Sequence, residues 1–93
     1  METWKFSKAE VDNAVKIFEN NISYLDTSIS REDGGDYITI SIKENGKSNW
    51  LGSSLLEKVV DFVRAYETLG KDLFFTVEVN ENEPAAQIVF AIK

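Results

Sequence analysis

Three stretches of this chain carry residue types that could do chemistry, and each lacks something the chemistry requires. Asn45-Gly46-Lys47-Ser48 contains the Gly-Lys-Ser that closes a phosphate-binding loop. Such a loop also needs a glycine where Ser41 stands, and a helix directly after the lysine. Asn45-Gly46 reads instead as a hairpin turn. Asn80-Glu81-Asn82-Glu83 offers oxygen atoms to calcium, but it lacks the spacing and the glycine of an EF-hand loop. It reads as an exposed acidic turn. Ser53 and Ser54 have no histidine to activate them and belong to a helix start. Carboxylate pairs of the glycosidase type are expected by chance among sixteen acids, and so small a domain is expected to hold no large cleft.

The chain has no histidine and no cysteine. That removes the usual acid–base group near neutral pH, thiolate chemistry, and the common ligands of zinc and iron. No enzyme activity, no cofactor and no tightly bound zinc or iron is expected. Sixteen acids against ten bases leave a net charge of −6. Duplex nucleic acid and anionic membranes both demand a basic patch, so direct binding to either is disfavoured. A basic protein partner suits this charge, which would steer it into contact. No apolar core follows the opening residues Met1 to Lys5, and no run is long enough to span a bilayer. A cytoplasmic location is expected, and the missing cysteines fit a reducing compartment.

Local patterns set the elements that must carry any surface. Trp4 and Phe6 alternate with polar residues, as in a short strand. Ser7-Lys8-Ala9-Glu10 is a capping box, followed by Val11, Ala14, Val15, Phe18 and Ile22 on one helical stripe. The spacing predicts a helix from Lys8 to about Asn20, then a strand from Ser23 to Ser30. Arg31 to Asp36 reads as a charged double-glycine loop. Tyr37 to Lys43 alternates cleanly, with Ile38, Ile40 and Ile42 on one side. A further strand is predicted over Lys47 to Leu51. Ser54-Leu55-Leu56-Glu57 reads as a second capping box opening a helix to Leu69, with Gly70 as terminator and Lys71 complementing the dipole. Leu56, Val59, Val60 and Val63 form its core stripe, widened by Leu55, Phe62, Tyr66 and Leu69. Leu73 to Val79 and Gln87 to Ile92 form a closing hairpin. The order (β)αβββαββ has no βαβ alternation, so one α+β domain over residues 1–93 is expected: a two-layer sandwich with both helices on one face of an antiparallel sheet. Ile38, Ile40, Ile42, Val59, Val63, Phe75 and Phe90 are expected to be buried.

Two surfaces then stand out as partner-binding candidates. One is acidic: Glu32, Asp33 and Asp36 in the double-glycine loop, and Asp72, Glu78, Glu81 and Glu83 in the last hairpin, with no base from Asp72 through Glu83. The other is apolar: Tyr37, Phe74, Val89 and Ala91, on strand faces predicted to point outward.

The layout resembles the small acidic anti-CRISPR proteins of prophages that block a CRISPR effector nuclease. The similarity lies in a first helix, a meander turning at Ile42-Lys43-Glu44-Asn45-Gly46-Lys47, and a second helix opening Ser54-Leu55-Leu56-Glu57-Lys58. The resemblance implies a phage-type stoichiometric inhibitor whose acids occupy the DNA-reading site of a basic nucleic-acid-binding protein. The chain departs from that pattern in ending with a β-hairpin instead of an acidic helix, and in carrying its acids less densely. The residues themselves point to a non-enzymatic acidic protein-binding module. The alternative is a small structural or homodimeric interaction domain.

Overall fold

The computed structural model describes residues 4–46, 51–78 and 84–92. Helix α1 (Lys8–Asn21) is followed by strands β1 (Thr27–Asp33) and β2 (Tyr37–Glu44), helix α2 (Ser53–Thr68), and strands β3 (Leu73–Glu78) and β4 (Ala85–Ala91). The strands form one antiparallel sheet in the order β1-β2-β4-β3. Both helices pack on one face, as the α+β reading expected. The strand expected over Lys47 to Leu51 falls mostly on residues outside those described.

Alternation and register explain the core. Ile38, Ile40 and Ile42 of β2 lie opposite Phe90, Ile88 and Ala86 of β4, and all six are buried. Val11, Ala14, Phe18 and Ile22 of the first helical stripe close over them, with Phe6 from the N-terminal segment. Phe6 stacks edge-on to Phe90, their ring centroids 5.2 Å apart. The N-terminal segment makes only isolated bridges, Trp4 to Lys71 and Phe6 to Ile92, so it straps the sheet end without becoming a strand.

The Ser7–Glu10 capping box forms as expected. Glu10 also takes a 2.8 Å ion pair from Lys71. Together the Lys71 ammonium and the Ser7 groups pull its carboxyl from the usual 4.5 down to about 2. A depressed folded-state value means the contribution is complete above pH 4.5 and lost as pH falls towards 2. The side chain is 44% exposed, so solvent holds the effect below about 1 kcal/mol. Glu10→Gln is expected to lose that increment at pH 6 and to match the parent near pH 2. Urea unfolding at the two pH values checks this.

Several expectations are corrected. Residues 31–33 extend β1 and are not loop; the turn is only Gly34-Gly35-Asp36. The reason is Arg31. It stands opposite Ile40 on the helix side and binds Asp12 of α1 at 2.6 Å and Asp33 at 2.7 Å, which makes a charged residue usable there. β1 starts at Thr27, because residues 22–25 continue the turn out of α1: the Leu25 amide donates to the Ile22 carbonyl. Asn45 does not close a type I′ hairpin. Of the two turn residues only Gly46 has positive φ, and the Asn45 amide donates to the Asp26 carbonyl, back towards β1.

The second capping box does not form either: Gly52 is the N-cap of α2 and no side chain of the helix caps it. The Glu44 carboxylate accepts the Gly52 N–H instead and supplies the negative charge that a helix start favours. The buried stripe of α2 is Leu55, Val59 and Phe62, with Leu56, Val60 and Val63 only partly covered and Leu69 exposed. Gly70 does end the helix left-handed at φ 74°, with the two backbone bonds of a Schellman motif. The Lys71 ammonium goes to Glu10 and over the Phe6 ring, not to the helix end. Phe75 was expected inside but remains 36% exposed, because β3 is an edge strand and α2 does not reach over its far half.

Candidate functional site

The face of the sheet away from the helices carries no covering element among the described residues. Strand alternation decides what it presents. One cross-strand row reads Glu32, Thr39, Val89, Phe74; its neighbour pairs Tyr37 with Ala91; the next reads Ser30, Ser41, Gln87, Thr76. Glu32, Tyr37 and Phe74, drawn from three separate strands, therefore share one face. Tyr37 and Phe74 are each 52% exposed. Strand spacing puts them roughly 12 Å apart. Val89 is half-buried between them, while Ala91, expected to be open, is buried at 4%, set opposite Tyr37 and bonded to both Asp72 and the strap at Phe6.

The sheet end beside Tyr37 gathers two more of the expected acids. The Ile92 amide donates to the Asp36 carbonyl at 2.8 Å, and the Ala91 amide donates to the Asp72 carbonyl at 3.0 Å. Asp36 and Asp72 thus flank the end of β4 from either side. Asp36 is exposed and Asp72 half-buried. Exposed Lys5 stands on the adjoining strap. Lys43, the base on this face, lies at the opposite end, across from Ser28.

The other expected residues fall elsewhere. Asp33 is on the helix side, and its hydrogen bond from Arg31 holds its carboxyl below the usual carboxylate range. Glu78 pairs with Ala85 at the last position of β3. Glu81 and Glu83 lie outside the described residues. Sequence reasoning missed Arg31, whose role needs α1 beside β1. It also missed exposed Phe75 and Val77, whose exposure follows from a strand order that hairpin patterns do not reveal.

No polar or charged side chain is buried among the described residues. Among them, too, no group of three or more acids is arranged to hold a metal ion, and no helix is long and apolar enough to cross a membrane. Comparison with protein-family models, curated proteins and solved structures finds no match.

Proposed function

We propose that this chain is a non-enzymatic protein-binding module that offers the uncovered sheet face to a basic site on a partner protein. Its most concrete form is a stoichiometric inhibitor of a basic, nucleic-acid-binding protein. One observation carries the reading: the register brings two half-exposed aromatics, Tyr37 and Phe74, onto a face bordered by Glu32, Asp36 and Asp72. Exposed aromatics with an acidic rim suit a hot-spot contact that charge steers into place. The net charge of −6 supports the same partner chemistry.

The test is the Glu32→Lys, Asp36→Lys double variant, measured against whatever partner the parent captures from a cell extract. Both side chains are exposed, so folding should be altered by less than about 0.5 kcal/mol each. Association at low salt is expected to slow roughly tenfold, and the deficit to shrink at high salt. An unchanged association rate at low salt defeats the charge-steering part of the proposal.

A further inference from the structure

The two edges of the sheet differ. β1 ends in Arg31-Glu32-Asp33, and such charges discourage another strand from pairing. β3 reads Leu-Phe-Phe-Thr-Val-Glu, with no charge before its last residue, no proline and no glycine. Its apolar side chains are exposed on both faces: Phe74 at 52% on the open face, Phe75 at 36% and Val77 at 43% on the helix side.

The backbone of β3 is also presented outward. In an antiparallel ladder, alternate residues point their N–H and C=O to one neighbour and then away from it. The Ala91 amide donates to the Asp72 carbonyl, so Asp72, and by alternation Phe74 and Thr76, face β4. Phe75 and Val77 then turn their backbone groups to the open edge. Alongside runs a groove of about 450 Å³ between α2 and β3, lined by Val63, Leu73 and Phe75, by the acids Glu67 and Asp72, and by Lys71, whose ammonium is already paired with Glu10.

We propose that β3 accepts an extended segment of another protein as a fifth strand, a segment in which apolar side chains alternate with lysine or arginine. This rests on the reading of the chain as a protein-binding module and names a second mode of contact. Main-chain bonds to Phe75 and Val77 would hold the segment, and its apolar side chains would fill the groove beside Phe75. By alternation its basic side chains fall on the opposite face, where they would meet Asp72 or lie over the Phe74 ring. Charge selects this occupant over a second copy. A two-fold pairing centred on Phe75 sets Asp72 opposite Glu78, and like charges directly opposed destabilise a ladder. Two copies would also bring together two net charges of −6.

The probes are an eight-residue peptide of alternating valine and lysine, the same peptide with valine and glutamate, and a valine–lysine version N-methylated at alternate backbone nitrogens. Affinity is read by fluorescence anisotropy against the full chain. The decisive variant is Val77→Pro, which removes an edge N–H while leaving the bonds to β4, and leaves Tyr37 and Phe74 in place. The parent is expected to bind the valine–lysine peptide, and Val77→Pro to weaken it at least tenfold. The glutamate and N-methylated peptides are expected to bind at least tenfold more weakly. Equal binding by Val77→Pro or by the N-methylated peptide overturns the proposal, as does a parent that binds no peptide. If Val77→Pro unfolds, the N-methylated peptide on the parent decides. A parent that sediments as a dimer, dispersed by Val77→Pro, overturns the choice of occupant and gives the edge to a second copy. A parent that binds no peptide yet still captures the partner defeats the edge proposal alone. Capture that survives truncation of Tyr37 and Phe74 defeats the open-face reading alone.

Discussion

Truncating Tyr37 and Phe74 together to alanine is expected to weaken binding of the captured partner by at least about a hundredfold, since buried aromatic anchors are worth on the order of 2 kcal/mol or more each. Both rings are half exposed in the free chain, so each has surface left to bury in a complex. Fold stability should suffer far less. Surface changes outside special positions shift it by about 0.5 kcal/mol, and loss of an aromatic from a strand adds at most about 1 kcal/mol. The control pair is Tyr24→Ala with Leu69→Ala. These side chains are as exposed as Tyr37 and Phe74 but belong to no position on the open face. Titration calorimetry gives the affinities and thermal unfolding gives the stabilities. If the control pair weakens binding as much as the test pair does, the open face is not the interface.

Phe90→Ala is expected to be the most damaging single substitution to the fold, at about 3–5 kcal/mol. The ring is 1% exposed and lies on β4 between Ile38 of β2 and Leu73 of β3. It meets Phe6 edge-on at 5.2 Å and Phe62 of α2 at 6.3 Å. Strap, helix and sheet thus converge on one side chain, so its removal leaves a cavity among all three. A domain of this size holds roughly 5–15 kcal/mol in all, so the loss is a large fraction of the whole. At about 4–8 °C per kcal/mol, the melting midpoint should fall by on the order of 15 °C or more. A drop under a few degrees would show that Phe90 is not at the centre of the core. Phe75→Ala, on the same face but beyond the cover of α2, should cost much less.

The difference between those two phenylalanines marks how far the sequence was legible. Period-2 alternation identified the buried side of β2 and the Ile88 and Phe90 side of β4, because a slip of one position would have turned Ile38, Ile40 and Ile42 outward; it did not reach Ala86, and it set Ala91 on the open side, where it is nonetheless buried. The same rule placed Tyr37 and Phe74 on the open side. It could not tell that β3 ends at the sheet's rim, since alternation fixes a side chain's face and not its strand's neighbours. Phe75 was misread for that reason. Arg31 was misread for a related one: a charge in a strand looks like a loop until the helix carrying Asp12 is seen beside it. The stripe of α2 was too wide to orient, and only the partner sheet selects Leu55, Val59 and Phe62 from it. Of the acidic surface, composition alone revealed that the charges exist. Which of them share a face depends on pairing between strands far apart in the chain.

The strand order has a consequence for how the molecule is made. Strand β4 (Ala85–Ala91), synthesised after the other three, is an interior strand of the sheet, hydrogen-bonded on both sides. Until it leaves the ribosome, β2 and β3 each lack their shared neighbour, and Ile38, Ile40 and Ile42 lack Phe90, Ile88 and Ala86 beside them. Translation at about 5–20 residues per second leaves the β1–β2 hairpin waiting on the order of seconds for its partner. Throughout that interval the nascent chain displays an isoleucine-rich strand and, later, the Leu-Phe-Phe segment of β3 as two sticky borders. Its yield in a cell should therefore depend on the supply of chaperones that shelter growing chains, more than its small size suggests.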